Sequence, residues 1–153
     1  VYARKDIGNF TAKFQAMYGE NMYNFIMLGG YAEFIDPDTN EISYSNYKTG
    51  AMWTELLYTN KPMTYSIFGG ISKNYGTDKT LTNEIVNRYA RGTDIDYTYR
   101  ISPRLTYTIK QFLIMLEVSY NAASYVTILD SGKVDGLDEI AAVRTQLHFM
   151  YMF

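Results

Sequence analysis

Read in steps of two from its last residue backwards, the chain ends in a two-faced segment over residues 141–153. Phe153, Tyr151, Phe149, Leu147, Thr145, Val143 and Ala141 form one nearly apolar row; Met152, Met150, His148, Gln146 and Arg144 form the other. A period of two with one greasy row predicts a β-strand. The period recurs upstream. Phe10, Ala12, Phe14, Ala16 and Tyr18 alternate with Thr11, Lys13, Gln15 and Met17. The clearest run sets Ile95, Tyr97, Tyr99, Ile101, Pro103, Leu105, Tyr107 and Ile109 against polar residues from Asp94 to Thr108, with a bulge expected at Pro103. Phe112, Ile114, Leu116, Val118, Tyr120 and Ala122 then alternate with a row that includes Glu117 and Asn121. Weaker alternation predicts strands over 22–34, 44–58 and 63–73. In the first of these, Gly29-Gly30 reads as a bend or close packing, because no helix follows to make a phosphate site. Residues 1–9 have no firm period and read as a loop end or a frayed strand.

The connections between these strands alternate in length: short at 19–21, 60–62 and 110–111, long at 35–43, 74–92 and 125–139. Short turns at one end and long loops at the other are the rule of outer-membrane barrels. The aromatic residues Phe149, Tyr151 and Phe153 at the C-terminus resemble the closing-strand signature that the barrel-assembly machinery reads. The fold expected is therefore all-β, a transmembrane antiparallel up-and-down β-barrel with seven or eight strands in this chain, and residues 1–153 form a single outer-membrane β-barrel domain. With the C-terminus in the periplasm, 74–92 and 125–139 lie outside and the strand from Phe10 runs inward. Seven is an odd number. Either residues 1–7 add a short eighth strand to a small closed barrel, or the chain is the C-terminal part of a larger one, and the weak period of 1–7 favours the second.

Composition agrees. The chain has 16 Tyr, 8 Phe and 8 Met but only 3 Pro and no Cys, which suits strands with aromatic girdles and excludes disulfides and thiolate metal sites. Mean hydropathy is −0.22, as a strand that turns half its residues from lipid would give, and the longest apolar run, residues 112–116, is far short of a membrane helix. The chain opens on Val1 without a signal-type apolar segment and is expected to be a processed chain or a fragment. A net charge of −2 gives nucleic-acid binding no footing.

Lys13, Glu55, Arg100, Arg104, Glu117, Arg144 and His148 fall on the polar rows and are the expected lumen residues. Glu55 sets the register of 44–58: a carboxylate against hydrocarbon is costly, so Glu55 and Trp53 go inward together. Arg100 and Arg104 lie about 13 Å apart along one strand. Two readings follow. A basic ladder would attract anions into a pore; alternatively, Glu55 and Glu117 neutralise the arginines in a salt-bridged interior, which a small filled barrel would prefer. His148 is the only histidine, too little for a metal site, and no nucleophile is selected by spacing. No catalysis, metal or cofactor is expected. Tyr58, Tyr65, Tyr107, Tyr120 and Phe112 fall near strand ends, as girdle residues should.

The run Arg91-Gly92-Thr93-Asp94-Ile95-Asp96-Tyr97, the segment Tyr99-Arg100-Ile101-Ser102-Pro103-Arg104-Leu105-Thr106-Tyr107, and Gly132-Lys133-Val134 ahead of the aromatic end resemble the C-terminal half of DcaP-like outer-membrane porins of Bacteroidota. The resemblance covers most of the chain. It implies a homotrimer of barrels of about sixteen strands, an arginine-lined lumen and small anionic solutes, set in lipid and lipopolysaccharide of the bacterial cell outer membrane. A full member would need a comparable N-terminal half. The expected function is passive diffusion of small hydrophilic solutes through a porin. The alternatives are a small eight-stranded structural or adhesive barrel with a plugged interior, or a barrel subunit of a larger outer-membrane complex.

Overall fold

A computed structural model describes residues 1–25, 27–79, 85–128 and 134–153. The described residues form antiparallel β-sheet and one turn of 3₁₀ helix at Met22–Phe25. The strands are β1 (Tyr2–Ile7), β2 (Phe10–Glu20), β3 (Gly29–Ile35), β4 (Ile42–Asn60), β5 (Met63–Thr77), β6 (Ile85–Arg91), β7 (Ile95–Ile109), β8 (Phe112–Ile128) and β9 (Val134–Tyr151). Seven of them make one meander in the order β1-β2-β4-β5-β7-β8-β9. Two-residue turns at Gly8-Asn9, Lys61-Pro62 and Lys110-Gln111 all lie at one end. Gly8 has φ +57° there, the left-handed backbone that such tight turns demand. Among the described residues the sheet does not close, and β1 and β9 each keep a free edge.

Besides the bulge expected at Pro103, where β7 instead keeps register with both β5 and β8, and the loop expected over 74–92, where β5 continues to Thr77 and β6 forms at Ile85–Arg91, two expectations are corrected. The segment 22–34 is not a strand returning from a hairpin at 19–21. Glu20 pairs with Lys48 and Tyr31 with Asn46, so β2 and β3 follow one another along the same edge of β4 in the same direction. Residues 21–25, 27 and 28 are looped out between them. Asn21 (φ +53°) gives its amide to the Tyr47 carbonyl at 3.0 Å as the chain leaves the ladder, and Gly29 and Gly30 (φ +111° and +141°) bring it back. The alternation around Tyr23 and Phe25 mimics a strand, but backbone that only glycine tolerates marks the real start of β3. The second correction is β1, which is a formed strand paired with β2 from Tyr2↔Gln15 to Ile7↔Phe10. Consequently β2 runs away from the short turns, opposite to expectation. One strand is gained and one lost from the meander, so its count stays odd.

Register fixes the faces, since cross-strand partners share one. One face carries the rows Lys13–Glu55–Phe68–Ser102 and Thr11–Leu57–Ser66–Arg104–Glu117–Gln146. The other carries Phe10–Tyr58–Tyr65–Leu105–Leu116–Leu147 and Ala12–Leu56–Ile67–Pro103. The Glu55 and Glu117 side chains are 12% exposed, whereas Leu56 is 52% and Leu116 42% exposed. Exposure of that sign arises when the polar face is concave and its side chains crowd together. The sheet is thus amphipathic in the inverted sense, charged within the curve and apolar outside it.

At the end away from the short turns the architecture changes. β4 continues past β2 and pairs with β3, whose far edge is taken by β6. In a flat sheet β6 and β7 would stand about four strand spacings apart, roughly 19 Å. Yet only Gly92, Thr93 and Asp94 join them, and Ile95 N–H donates to the Gly92 carbonyl at 3.1 Å. The path β6-β3-β4-β5-β7 therefore curls round on itself. Ala32, Phe34 and Tyr47 are buried within it, with Ala90 packed against them. Leu28, Thr49, Asn74 and Thr77 are buried as well. Gly30 faces Tyr89 and Ala90 so closely that a Cβ there would lie 2.2 Å from the Tyr89 carbonyl oxygen. This cap sits on the face of β4 that carries Glu55 further along the strand.

Candidate functional site

The concave wall of the meander brings five of the seven expected residues into one network. Lys13 Nζ lies 2.8 Å from Glu55 Oε2. Glu55 also pairs with Arg104, whose Nη1 stands 3.9 Å from Glu117 Oε2, and Glu117 pairs with Arg100. The network crosses β2, β4, β7 and β8 and passes over β5. It can do so because β5 places the short Ser66 beside Arg104, leaving room for the guanidinium to reach Glu55 on β4. Beside it, the Arg100 guanidinium lies 5.8 Å from the centre of the Phe68 ring. Ser66, Phe68, Arg100, Ser102, Arg104 and Glu117 line a recess of about 200 Å³. Ser66 and Phe68 both lie on this face of β5, and the small size of Ser66 is what allows the crossing.

Three cations and two carboxylates leave the network one positive charge in excess. Arg100 Nε is buried without a hydrogen-bond partner. Of the two sequence readings, the neutralised wall describes the geometry around Glu55 and Glu117 better than a free arginine ladder does. Arg144 and His148 stand apart on β9, both exposed. The backbone carbonyl of Arg144 accepts from Ser119 Oγ at 3.5 Å; among the described residues its guanidinium has no ion pair. Trp53 shares the concave face with Glu55, packing 5.9 Å from Phe68 ring to ring.

The convex face ends in aromatic residues at both levels. Near the short turns Phe10 meets Tyr58 at 4.7 Å, Tyr58 meets Tyr65 at 6.5 Å and Phe112 meets Tyr151 at 4.8 Å between ring centres. Tyr151 packs on Phe153 at 5.7 Å and donates its hydroxyl to Gln111 Oε1 at 2.8 Å, while Phe149 is 71% exposed. Towards the other end Tyr18 meets Tyr75 at 5.8 Å and Tyr99 meets Tyr120 at 6.0 Å. From Tyr107 to Tyr99 is about 27 Å of strand, or roughly 21 Å of height at a tilt of about 40°, close to the ~25 Å apolar band of a barrel wall. Exposed Met52, Leu56, Ile67, Ile71 and Ile101 fill the interval.

In the cap, burial pushes the Tyr47 hydroxyl above its ordinary pKa, and the Glu33 carboxylate raises that of Tyr89. Among the described residues no cluster of three or more His, Cys, Asp or Glu could hold a metal ion, and no helix is long and apolar enough to cross a membrane. No family model, curated protein or solved structure matches the chain.

Proposed function

We propose that this chain forms part of the wall of a transmembrane β-barrel in a bacterial outer membrane, and that the barrel is a porin for small, hydrophilic, anionic solutes. The observation that carries the reading is the inversion of the sheet: charged residues crowd the concave face while large apolar side chains stand exposed between two aromatic levels on the convex one. Water outside such a surface would leave that apolar face without cover; lipid covers it. The positive excess of the Lys13–Glu55–Arg104–Glu117–Arg100 network supports a preference for anions. The resemblance to DcaP-like porins of Bacteroidota supports the trimer and the larger strand number. In planar bilayers the purified intact protein is expected to conduct with anion preference, and Arg104→Ala to weaken that preference. Absence of any conductance from the intact protein would sink the channel reading.

A second reading has its own support. The ion-paired wall and the filled cap both suit a small structural barrel with a plugged interior. That barrel would insert in membranes and migrate heat-modifiably on gels, yet never conduct.

A further inference from the structure

A charged side chain interrupts the convex face at one place. Between the Tyr107 and Tyr99 levels the convex positions of the described strands are uncharged, with the exception of Lys5 on β1, whose partner Ala12 shares the face with Leu56, Ile67 and Pro103. Its neighbours Arg4 and Asp6 turn to the other face and pair with each other at 3.0 Å. Among the described residues the exposed Lys5 ammonium has no hydrogen bond or ion pair. Beside it lies a hollow of about 380 Å³ bordered by Lys5, Ile7, Phe10, Ala12, Leu56 and Ile67, within the ~300–1,000 Å³ of ligand sites. The gap arises at Ala12, whose methyl stands between the longer Phe10 and Phe14 along β2. The chain turns at Gly8, three residues after Lys5 and about 10 Å along the strand. The lysine stem can therefore lie along apolar surface while its ammonium points to the headgroup level. An apolar trough with one unpaired cation at its interfacial end fits an amphiphile that has an acyl chain and an anionic head.

We propose that this hollow seats one acyl chain of a glycerophospholipid of the periplasmic leaflet, with the lipid phosphate paired to Lys5. The inference rests on the membrane reading above, with the short turns at the periplasmic end, and is independent of conduction. Charge selects the occupant. An ammonium against hydrocarbon is costly, and a phosphate oxygen that accepts from it offsets that cost with a charge-assisted hydrogen bond. Apolar cover from a second copy of the chain would leave the ammonium unanswered.

The intact protein, stripped of lipid in mild detergent and titrated with dioleoyl phosphatidylglycerol, tests this by native mass spectrometry, which counts lipid bound per chain. One lipid should bind at a lower concentration than any that follow. Lys5→Met keeps the stem and should weaken that first site about tenfold, as loss of one charge-assisted hydrogen bond would, whereas Lys5→Arg should bind as the native chain does. Ala12→Phe fills the hollow and should weaken the same site with Lys5 in place. Equal binding by the native chain and Lys5→Met overturns the proposal, and so does equal binding of oleate, which has the chain and a negative charge but no phosphate. If Ala12→Phe leaves lipid binding unchanged and instead separates copies of the chain, the hollow is an interface between copies and the proposal falls. Release of the protein from its native membrane by alkaline carbonate is a different result, since it removes the membrane reading itself and the proposal with it.

Discussion

One strand runs through two regions of opposite construction. Along β4, Tyr47 and Thr49 are buried in the cap, packed as the inside of a water-soluble protein would be, while six residues further on the same face carries Glu55 and its ion pairs. The opposite face of β4 shows Met52 and Leu56, both more than half exposed. The alternation along β4 is unbroken between the two regions, the register shift between Lys48 and Thr49 falling on the β5 side of the ladder, so alternation by itself does not say which row is the inside. Curvature decides it. Where β6-β3-β4-β5-β7 curls tightly, the concave space is small enough for Ala32, Phe34 and Tyr47 to fill; where the meander opens, long charged side chains occupy it.

The largest expected effect is confined to the cap. Phe34 is 2% exposed, and Phe34→Ala should cost about 3–5 kcal/mol of cap stability. Gly30→Ala should act in the same place, because its Cβ would strike the Tyr89 carbonyl. Limited proteolysis should then cut near β6 while the meander stays resistant. If both regions unfold together, they are one cooperative unit and the comparison fails.

Next is the convex face. Leu56→Arg replaces a side chain that is already 52% exposed, a change that water would tolerate within a few tenths of a kcal/mol. In a bilayer the same change near mid-height should cost about 2–4 kcal/mol. Folding titrations into lipid vesicles distinguish the two, and indifference to arginine would mean that lipid does not cover this face.

How far the sequence could be read follows from the same contrast. β7 and β8 were legible because their rows are unbroken and one-sided, and the place of Trp53 followed from the cost of turning Glu55 to hydrocarbon. β1 was not legible, because with Arg4, Lys5 and Asp6 in succession the alternation is hidden by charge on both faces. The hairpin expected at 19–21 failed because Asn21 leaves the ladder without reversing, a matter of which strand lies alongside rather than of local pattern. The cap escaped for the same reason: Phe34, Tyr47 and Ala90 lie far apart in the chain, and only the pairing of β6 with β3 brings them together. The seven candidate wall residues were chosen by facing alone, but whether the arginines were free or paired depended on the register that sets Ser66 beside Arg104, which local pattern does not carry.

Glu55→Gln sharpens the account of the concave wall. It keeps the shape and removes the charge shared by Lys13 and Arg104, at an expected cost of about 1–3 kcal/mol. The excess on the network rises from one positive charge to two. Reversal potentials across a salt gradient should therefore move towards stronger anion preference. An unchanged reversal potential in a conducting protein would mean that the network lies off the ion path.

The smallest effect is also one whose sign matters. Thr49 and Thr54 each donate a hydroxyl to a backbone carbonyl, Thr49 to Leu28 at 2.9 Å inside the cap and Thr54 to Lys13 at 3.0 Å on the convex face. Thr49 is fully buried. Thr49→Val strips the Leu28 carbonyl of a donor in a place closed to water, and should cost about 1 kcal/mol. Thr54→Val exchanges a hydroxyl for a methyl on a face that the membrane reading covers with lipid, so the change should be neutral or slightly stabilising in vesicles. The two substitutions are chemically identical and lie five residues apart on β4. An equal loss at both would mean that the new methyl at position 54 gains nothing from contact with lipid, and the inversion on which the two regions differ would no longer stand.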